Sequence, residues 1–166
     1  MRRWVNIDVY FDFVCPWCLI GKRQLEIALS ELSFDRPDIE VNLTGRGFQL
    51  LPQIPAEGVA FADFYRRRLG SEQAVLERQR QVRQAAATVG VELDFSRIQI
   101  MPNTANAHRL FRHASILTES AHRDALLERM FAAYFFNGEN LGSCNTLQKI
   151  ARESALSTER IDRCLR

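Results

Sequence analysis

FVCPWCLIGK, residues 13–22, decides the fold: it sets Cys15 and Cys18 two residues apart at a change of local pattern. Ahead of it, RWVNIDVYF (3–11) is β-branched and aromatic with rough alternation, which predicts a strand. From Pro16 the period turns helical, with Leu25, Leu29 and Leu32 recurring on one face. Pro16 suits the first helical position, because the N–H it lacks would be unpaired there. Past the Arg36-Pro37-Asp38 turn, IEVNLTG (39–45) alternates as a second strand. Strand, helix and strand in that order predict a right-handed βαβ crossover with parallel strands. The cysteine pair then stands at the strand-to-helix junction.

Three chemistries compete for such a pair. Structural zinc asks for four ligands, commonly two close pairs. Here Cys144 and Cys164 are isolated, and His108 and His113 fall in an arginine-rich helix, so no metal is expected. A core role suits Cys164, which shares a helical face with Ile161 and Leu165. Cys144, in the predicted loop LGSCNT (141–146), has no visible partner and reads as a non-catalytic thiol.

For Cys15 and Cys18 the physics favours redox chemistry. A helix N-terminus offers unpaired N–H groups and the positive end of its dipole, and both stabilise a thiolate. So placed, a C-x-x-C cysteine falls from about 8.5 to roughly 3.5–7.5 in pKa. Cys18 lies one turn along on the same face, within reach but deeper in the helix. That asymmetry makes Cys15 the attacking thiolate and Cys18 the resolving thiol. Pro16 stiffens the turn, and Trp17 is expected either to shield the pair or to offer substrate an apolar platform.

After the Pro-containing loop LLPQIPAEG (50–58) the chain reads mainly as helix, with no further strand. Phe61, Phe64, Tyr65 and Leu69 share a face of a helix ending at Gly70. Ser71 caps the next helix, VELDF (91–95) is a short extended piece, and Asn103 or Thr104 caps a third. A fourth carries Leu127, Met130, Phe131, Tyr134 and Phe135. A fifth begins at Asn145 or Thr146, and Ser157 caps a last short one. The expected division is 1–58 for the βαβ part and 59–166 for a helical insertion.

Composition narrows the function classes. The 166 residues are 46% hydrophobic and 25% charged, which fits a packed domain carrying an insertion. A net charge of +2 gives no support to nucleic-acid binding, and RRRLGSEQ (66–73) and ERQRQVRQ (77–84) read as solvated helix faces. No segment approaches the roughly 20 apolar residues of a membrane span. MRRWVNIDVYFD is broken by Asn6 and Asp8 and reads as a strand, not a signal peptide. A cytoplasmic location is expected, where thiols stay reduced and four cysteines are no disulfide framework.

FDFVCPWCLIGK (11–22), RGFQLLPQIPAEG (46–58) and PNTANAHRL (102–110) together resemble the DsbA-like thioredoxin superfamily. Within it the chain looks most like the FrnE-type branch, related to 2-hydroxychromene-2-carboxylate isomerases and kappa-class glutathione transferases. The resemblance implies an α/β, thioredoxin-like fold with a large helical insertion. It implies a protein disulfide oxidoreductase with Cys15 as nucleophile and Cys18 as resolving thiol. Phe48, Leu50 and Pro52 would lie near the cleft rim, with Asn103, Thr104 and His108 as insertion residues close to the active site. Simple helix capping is the plainer reading of Asn103 or Thr104, and a structural histidine that of His108. Asp12 matches the family too, either to tune thiol protonation or to bind backbone at the strand end.

Thiol or disulfide substrates, protein or small molecule, are the implied partners, and no cofactor is required. The alternative is a glutathione-dependent isomerase or transferase. Those relatives typically carry serine at the nucleophile position, and Cys15 with Cys18 behind it favours exchange. Relatives also continue into a cis-proline-bearing hairpin and a final helix. No proline follows Pro102 here, so the chain reads as a truncated form, active or inactive. Its open strand edge would favour pairing with another chain, a second copy included.

Overall fold

The computed structural model describes residues 2–117 and 120–156. Strands β1 (Arg3–Phe11) and β2 (Ile39–Gly47) pair in parallel over their full lengths, Arg3 opposite Ile39 and Phe11 opposite Gly47. Helix α1 (Pro16–Asp35) makes the crossover, with Pro16 in its first turn. It closes where the Arg36 N–H donates to the Leu32 carbonyl, and Pro37, which has no N–H, cannot extend it. Among the described residues this sheet has two strands, so β1 and β2 each keep one unpaired edge. Trp4, Val5, Tyr10 and Leu43 are exposed on it, and the sheet is buried only at its Phe11 end.

No strand was expected beyond the second, and here the structure differs. β3 (Val59–Ala60) and β4 (Ile100–Met101) form a short antiparallel pair. Two residues are too few to show a period, and the pair exists because distant segments meet. The Phe61 N–H donates to the Gln99 carbonyl beside it, fixing the start of α2 (Phe61–Leu69). α2 ends at Gly70, whose φ of 86° is the left-handed conformation glycine adopts without strain. In α3 (Glu72–Ala87) the Ser71 hydroxyl caps by accepting from the Ala74 N–H at 3.1 Å.

The extended piece expected at VELDF gives way at its end to a 3-10 turn, Phe95–Arg97, capped by Asp94. Its short Asx turn competes with an extended backbone. Helices α4 (Ala105–Leu117), α5 (Ser120–Phe135) and α6 (Cys144–Glu153) follow. α6 starts after Ser143, earlier than the expected Asn145 or Thr146, so Cys144 is helical rather than in a loop, though exposed. The expected helix from Ser157, with Cys164, lies outside the described residues.

The core gathers where β1 ends. Phe11 meets Phe13 and Phe111 of α4 edge-on, each at 5.3 Å between ring centroids, and Phe13 lies 6.1 Å from Phe131 of α5. Across the same interface Arg23 of α1 makes two bonds to Glu128 of α5, at 2.8 and 2.5 Å. A partly exposed pair contributes about 0–1 kcal/mol, whereas burying one phenylalanine contributes about 1.5–3. The aromatic cluster is therefore the larger force joining the βαβ unit to the helices, and it fixes the position of the segment that follows Phe11.

Candidate active site

Asp12, Phe13 and Val14 link β1 to the cysteines, and of these Asp12 and Phe13 are fully buried. The Asp12 carbonyl accepts from the Cys15 N–H at 3.2 Å and closes the turn into α1. Its carboxylate takes three more donors: the Leu50 N–H at 2.8 Å, the Thr104 hydroxyl at 3.3 Å and His108 Nε2 at 3.0 Å. A carboxylate oxygen accepts, which assigns the imidazole proton to Nε2. Asp12 thus ties the cysteine turn to the loop after β2 and to α4. Gly47 lets that loop approach, since a Cβ there would collide with the His108 ring.

Asn103 fixes the same loop from another side. Its Oδ1 accepts from the Ala105 N–H, capping α4, and from Gln49 Nε2, both at 2.9 Å. Its Nδ2 donates to the Ile54 carbonyl at 2.6 Å. One asparagine therefore serves helix cap and loop clamp at once.

Cys15 is the N-cap of α1, with φ −92° and ψ 109°, and its side chain makes no capping bond. Cys15 and Cys18 are free, half-buried thiols. The Cys18 thiol donates to the Cys15 sulfur and does most to lower the Cys15 pKa, to about 7. Burial pushes the other way, the nearby N–H dipoles of Cys18 and Trp17 add to the lowering without the geometry of a capping bond, and the Asp12 charge opposes it. The same thiol–thiol bond, then burial, drives Cys18 far upward. The dithiol is thus split into one ionisable sulfur and one that holds its proton.

Cys15, but not Cys18, lines a cleft of about 500 Å³. Pro16, Trp17 and Leu50 line it too, and Trp17 is 49% exposed, an open apolar wall rather than a lid. Phe48 and Pro52, expected at the rim, do not line it; Phe48 is 57% exposed, because Gly47 and the Phe48 N–H bond to Phe11 continue the strand past the cleft. Asn103, Thr104 and His108 stand behind the site as its support. His108 lines instead a larger groove, about 870 Å³, between β2, α4 and α5.

The opposite wall of the cysteine cleft comes from α2 and α3, through Phe64, Tyr65, Arg68 and Arg78. An aromatic stripe at helical spacing reads as core, and arginine runs read as solvated, so these residues carried no separate signal. Only their packing across the cleft reveals them. Among the described residues no group of three His, Cys, Asp or Glu is placed to hold a metal. No helix among them is long and apolar enough to cross a membrane.

Residues 6–166 match the DSBA-like thioredoxin domain. The chain belongs to the DSBA-like thioredoxin family. The uncharacterised protein YwbO of Bacillus subtilis is 29% identical over 152 residues, 92% of this chain and 67% of that protein. Among solved structures, a probable DsbA oxidoreductase from Streptomyces coelicolor superposes with a TM-score of 0.80 at 24% identity, covering 96% of this chain and 67% of the other. A 2-hydroxychromene-2-carboxylate isomerase gives 0.60 at 14% identity, covering 97% and 71%. Both likenesses are of fold. They agree with a DsbA-like architecture in which a helical insertion follows the C-x-x-C-bearing βαβ unit.

Proposed function

We propose that the chain is a thiol–disulfide oxidoreductase in which Cys15 attacks and Cys18 resolves. The observation that carries this reading is the unequal dithiol: Cys15 titrates near 7 and faces the cleft, while Cys18 keeps its proton behind it. Membership of the DSBA-like family supports it.

In the first step the Cys15 thiolate attacks one sulfur of a disulfide R–S–S–R′. The S–S bond breaks, a Cys15–S–S–R bond forms, and R′S⁻ leaves and takes a proton from solvent. Cys18 then loses its proton and attacks the Cys15 sulfur, expelling RS⁻ and forming the 15–18 disulfide. The substrate gains two electrons and the dithiol loses two; an external thiol or dithiol returns it for another turnover. The reverse sequence oxidises substrate thiols. Direction follows relative potential, 30 mV being about 1.4 kcal/mol. In the cytosol, where we place the protein, the reduced dithiol is the resting form. Likeness of fold to the isomerase supports a second reading, a glutathione-dependent isomerase or transferase. Glutathione-dependent turnover surviving Cys18→Ser would favour it.

Alkylation by iodoacetamide, followed at Cys15 by peptide mass spectrometry, tests the proposal. Below pH 7 the thiol is protonated and slow; above it the thiolate reacts, so the rate is half-maximal near pH 7. Cys18→Ala removes the chief stabilising donor and moves the midpoint up toward the ordinary thiol value of about 8.5. A wild-type midpoint already at that value contradicts the reading.

A further inference from the structure

We infer that the cleft selects disulfides bearing a carboxylate beside the scissile bond, with Arg68 and Arg78 as the specificity-determining groups. The inference rests on the proposed exchange at Cys15 and names its substrate class.

The geometry begins with the wall facing the cysteine. Phe64 and Arg68 are one turn apart on α2, and Arg78 and Val82 one turn apart on α3, so each helix turns one arginine toward the cleft beside apolar groups. The Arg68 guanidinium sits 6.0 Å from the Phe64 ring centroid, a contact that holds it along the wall. Two of the neighbouring arginines are paired, Arg66 with Asp63 and Arg80 with Glu77. Among the described residues neither Arg68 nor Arg78 makes an ion pair, and no side chain lining the cleft is acidic. Two uncompensated positive charges therefore share a cavity with the nucleophile.

Tyr65 lies among them. Burial first, then the Cys15 charge, raises its pKa, and Arg68 and Arg78 pull against both. The phenol thus feels the charges of Cys15, Arg68 and Arg78, and it stays protonated as a donor.

These charges answer a difficulty of the chemistry. The Cys15 thiolate, with Asp12 behind it, repels an incoming anion. Two guanidinium groups offset those two charges and offer paired N–H donors that fit a carboxylate. Trp17, Leu50 and Leu69 supply an apolar bed for the rest of the molecule. The favoured substrate is thus a carboxylated disulfide with an apolar body, either a small diacid or an acidic peptide.

Paired alkylating reagents read this directly. The rate with anionic iodoacetate divided by that with neutral iodoacetamide cancels the thiolate fraction and leaves the local field. Arg68→Gln with Arg78→Gln lowers that ratio about tenfold, the scale of electrostatic steering in a charged cleft. Lysine at both positions keeps it, and about 1 M salt abolishes the difference by screening. In turnover with dithiothreitol, the double glutamine variant loses about tenfold in kcat/KM for 3,3′-dithiodipropionate, while cystamine, a dication, loses nothing. A parallel loss with a glutamate-flanked peptide disulfide, absent with its lysine-flanked counterpart, extends the class to acidic peptides. An unchanged ratio in a double variant whose Cys15 still reacts with iodoacetamide overturns the inference and leaves the exchange reading standing. A wild-type Cys15 inert to both reagents overturns the two together.

Discussion

Cys15→Ser brings catalysed disulfide reduction down to the uncatalysed background. A serine hydroxyl is not appreciably ionised at neutral pH and forms no bond that Cys18 can resolve. The fold should survive, because serine is among the preferred N-cap residues and Cys15 makes no capping bond of its own. A hydroxyl there accepts from an early α1 N–H and stabilises the protein by about 1 kcal/mol. The wild-type residue therefore sacrifices helix stability and gains a thiolate. Reduction of insulin disulfides by dithiothreitol, with urea unfolding alongside, measures both effects. Activity retained in the serine variant would contradict the assignment of the nucleophile.

The second large effect is on stability. Asp12→Ala strands the Leu50 N–H, the Thr104 hydroxyl and His108 Nε2, three donors meeting at one fully buried side chain. Leaving a buried group unsatisfied costs about 1–3 kcal/mol, and the loss expected here is about 3 kcal/mol or more. For a chain of this size that lowers Tm by about 10 °C. Asp12→Asn keeps one acceptor oxygen and loses less. It also removes a charge that raises Cys15, so the thiol titrates still lower in that variant. Urea and thermal unfolding check the first statement and the alkylation midpoint the second. A loss under about 1 kcal/mol for the alanine variant would mean the latch contributes little.

How much of this was legible in the sequence follows from the range of each interaction. The β1–α1–β2 unit, the stop of α2 at Gly70 and the Ser71 cap are local, and alternation, period and capping residues announce them within a few positions. The β3–β4 pair is two residues long and has no period to read. Asp12 reaches His108 across 96 positions and Thr104 across 92, so its part as a latch between strand, loop and helix exists only in the folded chain. Asn103 shows the same limit: a cap is written in its neighbours, whereas its bonds to Gln49 and Ile54 are not. Arg68 and Arg78 look like any solvated arginine until α2 and α3 are packed opposite Cys15. The cysteine half of the proposed site was written locally, and the wall that faces it was not.

The measurement closest to the central claim is the intact mass of the Cys18→Ser protein after brief exposure to a substrate disulfide. Attack by Cys15 without a resolving thiol predicts a stable adduct of one substrate half, mapped to Cys15. The wild-type protein under the same conditions instead ends as the 15–18 disulfide with no adduct retained. An adduct that maps to Cys144, or none at Cys15, would contradict the account.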